Sequence, residues 1–143
     1  MVEHRHPEAG LRTHVGGCHC GAVRFEAELD VSKPVSRCNC TLCTMRVVSS
    51  LMIKPDAFRL VSGESELGDY AWGAKTSHFL FCKRCGIHVF GRGNIPEIGG
   101  EYVSVNANCI DGVDAALLKA IHWDGRHNAW QKGPRSEPYP VHE

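Results

Sequence analysis

Short runs of alternating hydrophobic and polar residues recur along most of the chain, and they predict β-strands. Residues 22–29 alternate apolar and polar side chains, as a half-buried strand does. Residues 47–53 are rich in β-branched side chains, which favours a buried strand, and residues 102–107 alternate again. Further short strands are predicted at residues 35–37, 59–63 and 67–72. The hydrophobic pattern therefore predicts a mainly β domain.

Residues 77–90 carry the clearest supersecondary signal. Two apolar runs flank the sequence Cys82-Lys-Arg-Cys85-Gly86, which predicts a β-hairpin with a metal-binding knuckle at its tip. Glycine after the second cysteine permits the positive φ that such a tight turn often requires.

Connections are predicted where turn residues cluster. Residues 55–58 resemble one helical turn, with a proline near its start. Residues 92–100 hold three glycines and a proline and predict a flexible loop. Residues 113–120 fit either a helix or an extended segment.

The length of 143 residues predicts one domain, which we place at residues 15–131. Residues 1–14 are polar and aperiodic and are expected to form a flexible tail, and residues 132–143, with three prolines, are expected to form an irregular one. The first eleven residues lack the apolar stretch of a secretory signal, and no run approaches the roughly 18 apolar residues of a membrane span. We therefore expect a cytoplasmic protein that has no membrane partner.

Charge argues against a nucleic-acid function. The chain has 16 lysines and arginines against 16 aspartates and glutamates, so no global basic field would attract a phosphate backbone.

Cysteine spacing indicates metal binding. Seven of the eight cysteines fall into tight clusters: Cys18 and Cys20; Cys38, Cys40 and Cys43; and Cys82 and Cys85. A disulfide framework normally joins separated positions, and the cytosol would keep these thiols reduced.

One C-x-x-C knuckle cannot close a tetrahedral zinc site, so Cys82 and Cys85 need a second pair. Cys18 and Cys20 form the free pair, which predicts a closed, structural site with four cysteines. The competing arrangement joins Cys18 and Cys20 to part of the triplet and leaves the C-x-x-C pair short of ligands.

The triplet Cys38, Cys40 and Cys43 then leaves a second zinc one ligand short. Cys109 is the candidate to close this site, although a lone cysteine is more often a small buried hydrophobe. Otherwise the fourth position belongs to water or substrate. Zinc with three thiolates is net negative, which disfavours hydrolysis and favours holding the sulfur of a substrate thiol.

Charged residues near the clusters add candidates for substrate contacts. The basic side chains that could pair with an anionic thiol such as glutathione are Arg37, Arg46, Lys83 and Arg84. The histidines that could act as acid or base are His78, His88, His122 and His127.

Three cysteine motifs in this order resemble one known family. They are G-C-H-C-G-A-V-R-F from Gly17, C-N-C-T-L-C from Cys38 and F-C-K-R-C-G from Phe81. Over residues 16–130 the chain resembles the glutathione-dependent formaldehyde-activating enzymes, a family that also includes centromere protein V. The resemblance implies a β-tent of packed antiparallel sheets with cysteine knuckles at the sheet ends.

The resemblance also implies two Zn²⁺ ions and an activity. Cys18, Cys20, Cys82 and Cys85 would hold the structural zinc, and Cys38, Cys40 and Cys43 the catalytic one. The implied activity is that of a carbon-sulfur lyase that condenses glutathione with formaldehyde to S-(hydroxymethyl)glutathione, or catalyses a related reaction. The alternative is a non-catalytic module with two zincs that binds chromatin or a protein partner. Assembly as a homo-oligomer stays open.

Overall fold

The computed structural model of the chain describes residues 10–71 and 75–141 and has a mainly β architecture, as the hydrophobic pattern predicts. Two sheets contain all the named strands: β1 (Arg12–Gly17), β2 (Arg24–Leu29), β3 (Val35–Cys38), β4 (Ser50–Ile53), β5 (Phe58–Ser62), β6 (Leu67–Ala71), β7 (Ser77–Cys82), β8 (His88–Ile95), β9 (Gly100–Asn106) and β10 (Ala120–Trp123). A short helix, α1 (Thr41–Arg46), lies between β3 and β4.

The smaller sheet has the order β1-β2-β5, with antiparallel pairing throughout. The larger sheet has the order β10-β3-β4-β9-β8-β7-β6. Its pairs are antiparallel except at one edge, where β10 runs parallel to β3. This parallel pair departs from the expected all-antiparallel sheets, and it places the end of β10 beside Cys38, because Trp123 is in register with that cysteine.

The hydrophobic core lies between the two sheets. Phe58 of the small sheet has its ring centroid 5.4 Å from that of Phe25 and 4.5 Å from that of Phe90 in the large sheet. The largest fully buried side chains are Phe25, Leu29, Val23, Val35, Val89 and Val105, with Cys82. Because Cys82 ends a core strand and is itself fully buried, the position of its sulfur is set by the packing of the whole core.

Two sequence predictions are wrong in informative ways. Residues 92–100 do not form a flexible loop, because β8 continues to Ile95 and pairs with β9. Gly93 reflects close packing, because a Cβ atom there would lie 2.6 Å from the Tyr102 hydroxyl. The strand predicted at residues 47–53 begins only at Ser50, since Val47 adopts a left-handed conformation (φ 52°) that ends α1.

Other local predictions are confirmed. A 3₁₀ turn occupies Pro55–Ala57, and residues 77–90 form the β7–β8 hairpin. The ambiguous segment after residue 113 has a 3₁₀ turn at Ala115–Leu117 and is then extended as β10. Trp72, which was expected in a strand, lies outside the described residues.

The segments predicted as tails are partly ordered. Strand β1 begins at Arg12, inside the first of them, because its backbone pairs with β2. At the other end, Arg135 forms an antiparallel bridge with His122, so the C-terminal segment packs along β10. None of the helices in the described ranges is long and apolar enough to cross a membrane.

Candidate metal centres

The sulfur atoms of Cys18, Cys20, Cys82 and Cys85 all lie within 4.8 Å of one another. The Cys18 and Cys20 sulfurs are 3.6 Å apart, and those of Cys20 and Cys82 are 3.7 Å apart. A tetrahedral zinc with zinc–sulfur bonds of about 2.3 Å separates its sulfurs by about 3.8 Å. The four side chains therefore fit a tetrahedral metal ion with thiolate ligands.

Tight turns present these four sulfurs. Gly86, with φ 77°, closes the β7–β8 turn, in which its amide donates to the Cys82 carbonyl at 2.8 Å. On the facing turn the amide of Val23 donates to the Cys18 sulfur at 3.3 Å. The backbone N–H groups of Cys20 and Ile87 lower the pKa of the Cys85 thiol to about 6, which favours the thiolate that a metal requires.

Cys38, Cys40 and Cys43 form a second group whose sulfurs also lie within 4.8 Å of one another. Among the described residues, no further Cys, His, Asp or Glu ligand atom joins this group. Sulfur-only donors select soft or borderline metal ions such as zinc. This group could hold such an ion by three protein ligands.

Helix α1 arranges the triplet. Cys40 is the N-cap residue, and its sulfur accepts the amide of Cys43 at 3.4 Å. The amide of Cys40 in turn donates to the Cys38 sulfur at 3.4 Å. Hydrogen bonds from Cys38 and Cys43, assisted by backbone amides of the helix start, hold the pKa of Cys40 far below its usual range.

Asn39, between the first two cysteines of the triplet, connects this loop to the far end of the chain. Its amide nitrogen donates to the Asp124 carboxylate at 2.9 Å and to the Pro140 carbonyl at 3.3 Å. Its side-chain oxygen accepts the backbone amide of Arg126 at 2.9 Å. Both ends of the carboxamide are thus bound by the segment that follows β10.

The backbone of Asn39 is held as firmly as its side chain. Its amide donates to the Trp123 carbonyl at 3.3 Å, and its carbonyl accepts Nε of Arg126 at 3.0 Å and the Thr44 hydroxyl at 3.1 Å. The buried Asp124 has its pKa lowered, first by the Asn39 hydrogen bond and then by His127. It therefore stays ionised and keeps accepting the Asn39 amide.

Gly125 allows the segment after β10 to approach the triplet. A Cβ atom at this position would overlap the Cys38 sulfur and lie 2.7 Å from the Trp130 ring. The Trp130 ring is about half exposed and lies 6.0 Å from that of Trp123, centroid to centroid. An aromatic wall therefore flanks the triplet.

Cys109, the candidate fourth ligand, is outside both cysteine groups. Its buried thiol donates to the His88 carbonyl at 3.4 Å. Burial, followed by the charges of Cys18 and Cys85, raises its pKa to about 11, so it stays a neutral thiol. In the described structure Cys109 packs beside the group of four cysteines and does not close the group of three.

Two of the four candidate histidines lie near the segment after β10. His127 Nδ1 is 2.8 Å from the Asp124 carboxylate, and its side chain is 41% exposed. The backbone of His122 pairs with Arg135. His127 thus shares a carboxylate with the triplet loop.

The other two histidines lie on β7 and β8. His78 Nδ1 is 2.9 Å from the Asp69 carboxylate. His88 Nδ1 is 3.3 Å from a guanidinium nitrogen of Arg46. Burial, together with the Arg46 charge, lowers the pKa of His88 to about 4, so this imidazole is neutral near pH 7.

The remaining basic candidates have local partners or point to solvent. Nε of Arg37 donates to the Ser49 hydroxyl at 3.0 Å. Arg84 is 3.3 Å from the Glu66 carboxylate and mostly exposed, and Lys83 is exposed.

Sequence reasoning missed Asn39 and the residues that hold it. Its place between two cysteines was a local signal, but Asp124 and Arg126 are 85 and 87 residues away along the chain. Nothing in the spacing connects such distant residues.

Comparison with known proteins agrees with this geometry. A crystal structure of a Rhodobacter sphaeroides protein, solved as a structural genomics target, matches with a TM-score of 0.67 at 32% sequence identity, and the match covers 76% of this chain and 98% of that one. Residues 13–125 match the family described as glutathione-dependent formaldehyde-activating enzyme. This match spans all seven clustered cysteines, so the chain belongs to the glutathione-dependent formaldehyde-activating enzyme family.

Proposed function

We propose that this protein is a zinc-dependent carbon-sulfur lyase that acts on a thiol adduct. By family, the reaction is the condensation of glutathione with formaldehyde to S-(hydroxymethyl)glutathione, its reverse, or a related reaction. The family membership supports the reaction class, and the chemistry of the triplet supports the type of substrate.

The difference between the two cysteine groups carries this proposal. Four sulfurs complete a tetrahedron in one group, whereas the other group has three sulfurs and no fourth ligand atom among the described residues. Structural zinc sites are closed, and catalytic sites keep one position for substrate or water. We therefore assign the structural zinc to Cys18, Cys20, Cys82 and Cys85, and the catalytic zinc to Cys38, Cys40 and Cys43.

A zinc ion with three thiolate ligands would hold the sulfur of a substrate as thiolate at neutral pH. The chain prepares this site through its own contacts. Backbone amides of Cys40 and Cys43 donate to ligand sulfurs and stabilise their negative charge. Asn39 fixes the loop that carries two of the three ligands.

The reaction is redox-neutral and its atoms balance. In the condensing direction the thiol loses its proton to solvent, a sulfur–carbon bond forms between the resulting thiolate and formaldehyde, the carbonyl π bond becomes an alkoxide lone pair, and that oxygen takes a proton. We propose His127 as the acid, because its imidazole is tied to Asp124, which also holds Asn39. In the reverse direction His127 accepts the proton as the carbon–sulfur bond breaks.

The non-catalytic module is the alternative, and no contact among the described residues favours it. It requires a closed second site, and the Cys109 thiol is hydrogen-bonded to the His88 carbonyl instead. A cytoplasmic location, the domain limits 15–131 and homo-oligomer formation likewise remain predictions.

Serine substitutions in the two groups test the proposal. We expect Cys40→Ser to abolish formation of S-(hydroxymethyl)glutathione and to remove one of two bound zincs, while the protein stays folded. We expect Cys85→Ser to unfold the protein, since structural zinc supplies roughly 10 kcal/mol or more of folding free energy in small zinc domains. Zinc content, circular dichroism and turnover are measured on the same preparations.

Cys109→Ser is the matched control, because Cys109 belongs to neither group. It should keep two zincs and full turnover. Equal loss of folding in Cys40→Ser and Cys85→Ser would overturn the assignment of two different roles. A folded wild-type protein with two zincs and no lyase activity toward thiol adducts would overturn the enzyme proposal.

A further inference from the structure

Arg46 is a partly buried cation with no carboxylate partner among residues 10–71 and 75–141. Its guanidinium carbon lies 4.4 Å above the Phe79 ring centroid, and Nη1 is 3.3 Å from Nδ1 of His88. The neutral His88 imidazole can accept this hydrogen bond but cannot neutralise the charge. The fold therefore holds a guanidinium in place, and no carboxylate in the described part of the chain is bonded to it.

The same guanidinium lines a cavity of about 630 Å³. The cavity lies beside α1 and the start of β8, and its lining includes Met45 and Ile87, both of which are exposed. Its polar lining also includes Asn106, Asn108 and Asp111, and the Asp111 carboxylate is paired with Arg24. Because the Asn106 carboxamide is already bonded to His88 and Asn108, it keeps the wall in place.

Arg46 connects this cavity to the proposed catalytic group, although the cavity lining contains Cys18 of the group of four and none of the three triplet cysteines. Arg46 follows Cys43 by three residues on α1, so the two side chains occupy neighbouring positions on one helix face. Burial lowers the pKa of Arg46, while the charges of Cys43 and Cys40 act to raise it, which places the guanidinium within electrostatic reach of the triplet. A small molecule that contacts Arg46 would therefore lie one helical turn from the Cys43 ligand position.

We propose that Arg46 and this cavity form a carboxylate-binding subsite for the substrate thiol. Arginine binds carboxylates through two parallel hydrogen bonds, and a partly buried guanidinium gains more from such a pair than an exposed one. The subsite would select thiols that carry a carboxylate over neutral or cationic thiols. This inference rests on the proposed function for its substrate, but its binding contact is separable from the metal.

Binding of S-methylglutathione to the zinc-loaded protein tests the subsite without a free thiol. This probe keeps both carboxylates, and its dimethyl ester removes them. By calorimetry we expect S-methylglutathione to bind the wild-type protein and the diester to bind at least about tenfold more weakly, as the loss of a charge-assisted hydrogen bond implies. Arg46→Met should weaken the binding of S-methylglutathione by a similar factor and leave the affinity for the diester unchanged.

Arg59→Met is the matched control, because Arg59 lies on β5 of the smaller sheet and pairs with Glu26. It should leave the affinity for S-methylglutathione unchanged. Arg46→Gln provides a second variant should Arg46→Met fold poorly, since glutamine can still donate to His88 while it removes the charge. Circular dichroism verifies the fold of each variant.

Glutathione, which has a free thiol as well as both carboxylates, separates this inference from the proposed function. If Arg46 only offsets the thiolate charge of the triplet, Arg46→Met will change zinc affinity and leave S-methylglutathione binding intact, which would overturn the subsite. Equal affinities for S-methylglutathione and its diester would overturn it as well. If glutathione fails to perturb the spectrum of the cobalt-substituted protein while S-methylglutathione binding still requires Arg46, the metal role fails and the subsite stands.

Discussion

Gly125 lies so close to Cys38 that any side chain at position 125 would overlap the cysteine sulfur. The two residues are 87 positions apart, and they meet because β10 runs parallel to β3 and brings Trp123 into register with Cys38. The contact fixes one wall of the triplet by backbone packing alone.

Gly125→Ala should therefore disturb the triplet and spare the group of four. We expect the affinity for the second zinc to fall about tenfold or more, in the range seen when residues that orient metal ligands are changed. Zinc stoichiometry and competition with a chromogenic chelator measure this loss. Gly93→Ala, which would crowd Tyr102 far from the cysteines, is the control. It should lower stability without changing the affinity for either zinc. Equal loss of zinc in both variants would contradict the prediction.

Asn39→Ala removes the side-chain link between the triplet loop and the segment after β10. Since the carboxamide binds Asp124, Arg126 and the Pro140 carbonyl, its loss should lower the affinity for the second zinc by about 10–100-fold. The d–d spectrum of the cobalt-substituted protein should change as well, because the ligand geometry relaxes. Asn94→Ala, on an exposed stretch of β8, should change neither quantity. An unaltered cobalt spectrum in Asn39→Ala would show that Asn39 does not orient the ligands.

Chelation should empty the two groups in order. The triplet offers three protein ligands and is partly exposed, whereas the group of four is closed and includes two buried cysteines. We expect a chelator to remove one zinc equivalent with little change in melting temperature, and the second only together with cooperative unfolding. Zinc release followed against ellipticity tests this order. Simultaneous release of both equivalents would contradict it.

The pH dependence of stability should carry a contribution from His88. Its pKa is about 4 in the folded protein, lowered by burial and then by Arg46, against an ordinary value of 6.5. A group with a lowered pKa binds fewer protons when folded, so its stabilising contribution is present above about pH 6.5 and is lost as the pH falls toward 4. Between pH 7 and pH 5 this loss amounts to about 2 kcal/mol.

His88→Gln tests this contribution. Between pH 7 and pH 5 the free energy of unfolding, measured with urea, should fall by about 2 kcal/mol more for the wild type than for the variant. A difference that does not change with pH would show that His88 titrates normally. Both proteins are compared at equal zinc content, because acid also protonates the thiolate ligands.

Local chemistry made much of the fold and of both cysteine groups predictable. Alternation marked β2 and β9, and the C-x-x-C-G sequence marked the β7–β8 hairpin. Ligand counting joined Cys18 and Cys20 to a pair more than 60 residues away, because a tetrahedral site demands four donors. These signals are strong since each depends on residue type at short spacing.

Other features were not readable because their causes are distant in sequence. The glycines of β8 suggested a loop, yet Gly93 is a strand residue that makes room for Tyr102 on β9. Helix α1 has only six residues, too few to show helical periodicity, and it forms because the Cys40 sulfur caps its start.

The sequence by itself determined the family, the mainly β character and the two sets of sulfur ligands, because cysteine spacing and strand alternation are local properties. Only the tertiary structure decided what surrounds the triplet. The parallel pairing of β10 with β3 brings Asp124, Gly125 and Arg126 onto the loop of Asn39, and the packing of α1 against β8 sets Arg46 beside His88. Such contacts join residues far apart in the chain, and their geometry depends on how the strands are ordered and packed in the sheets.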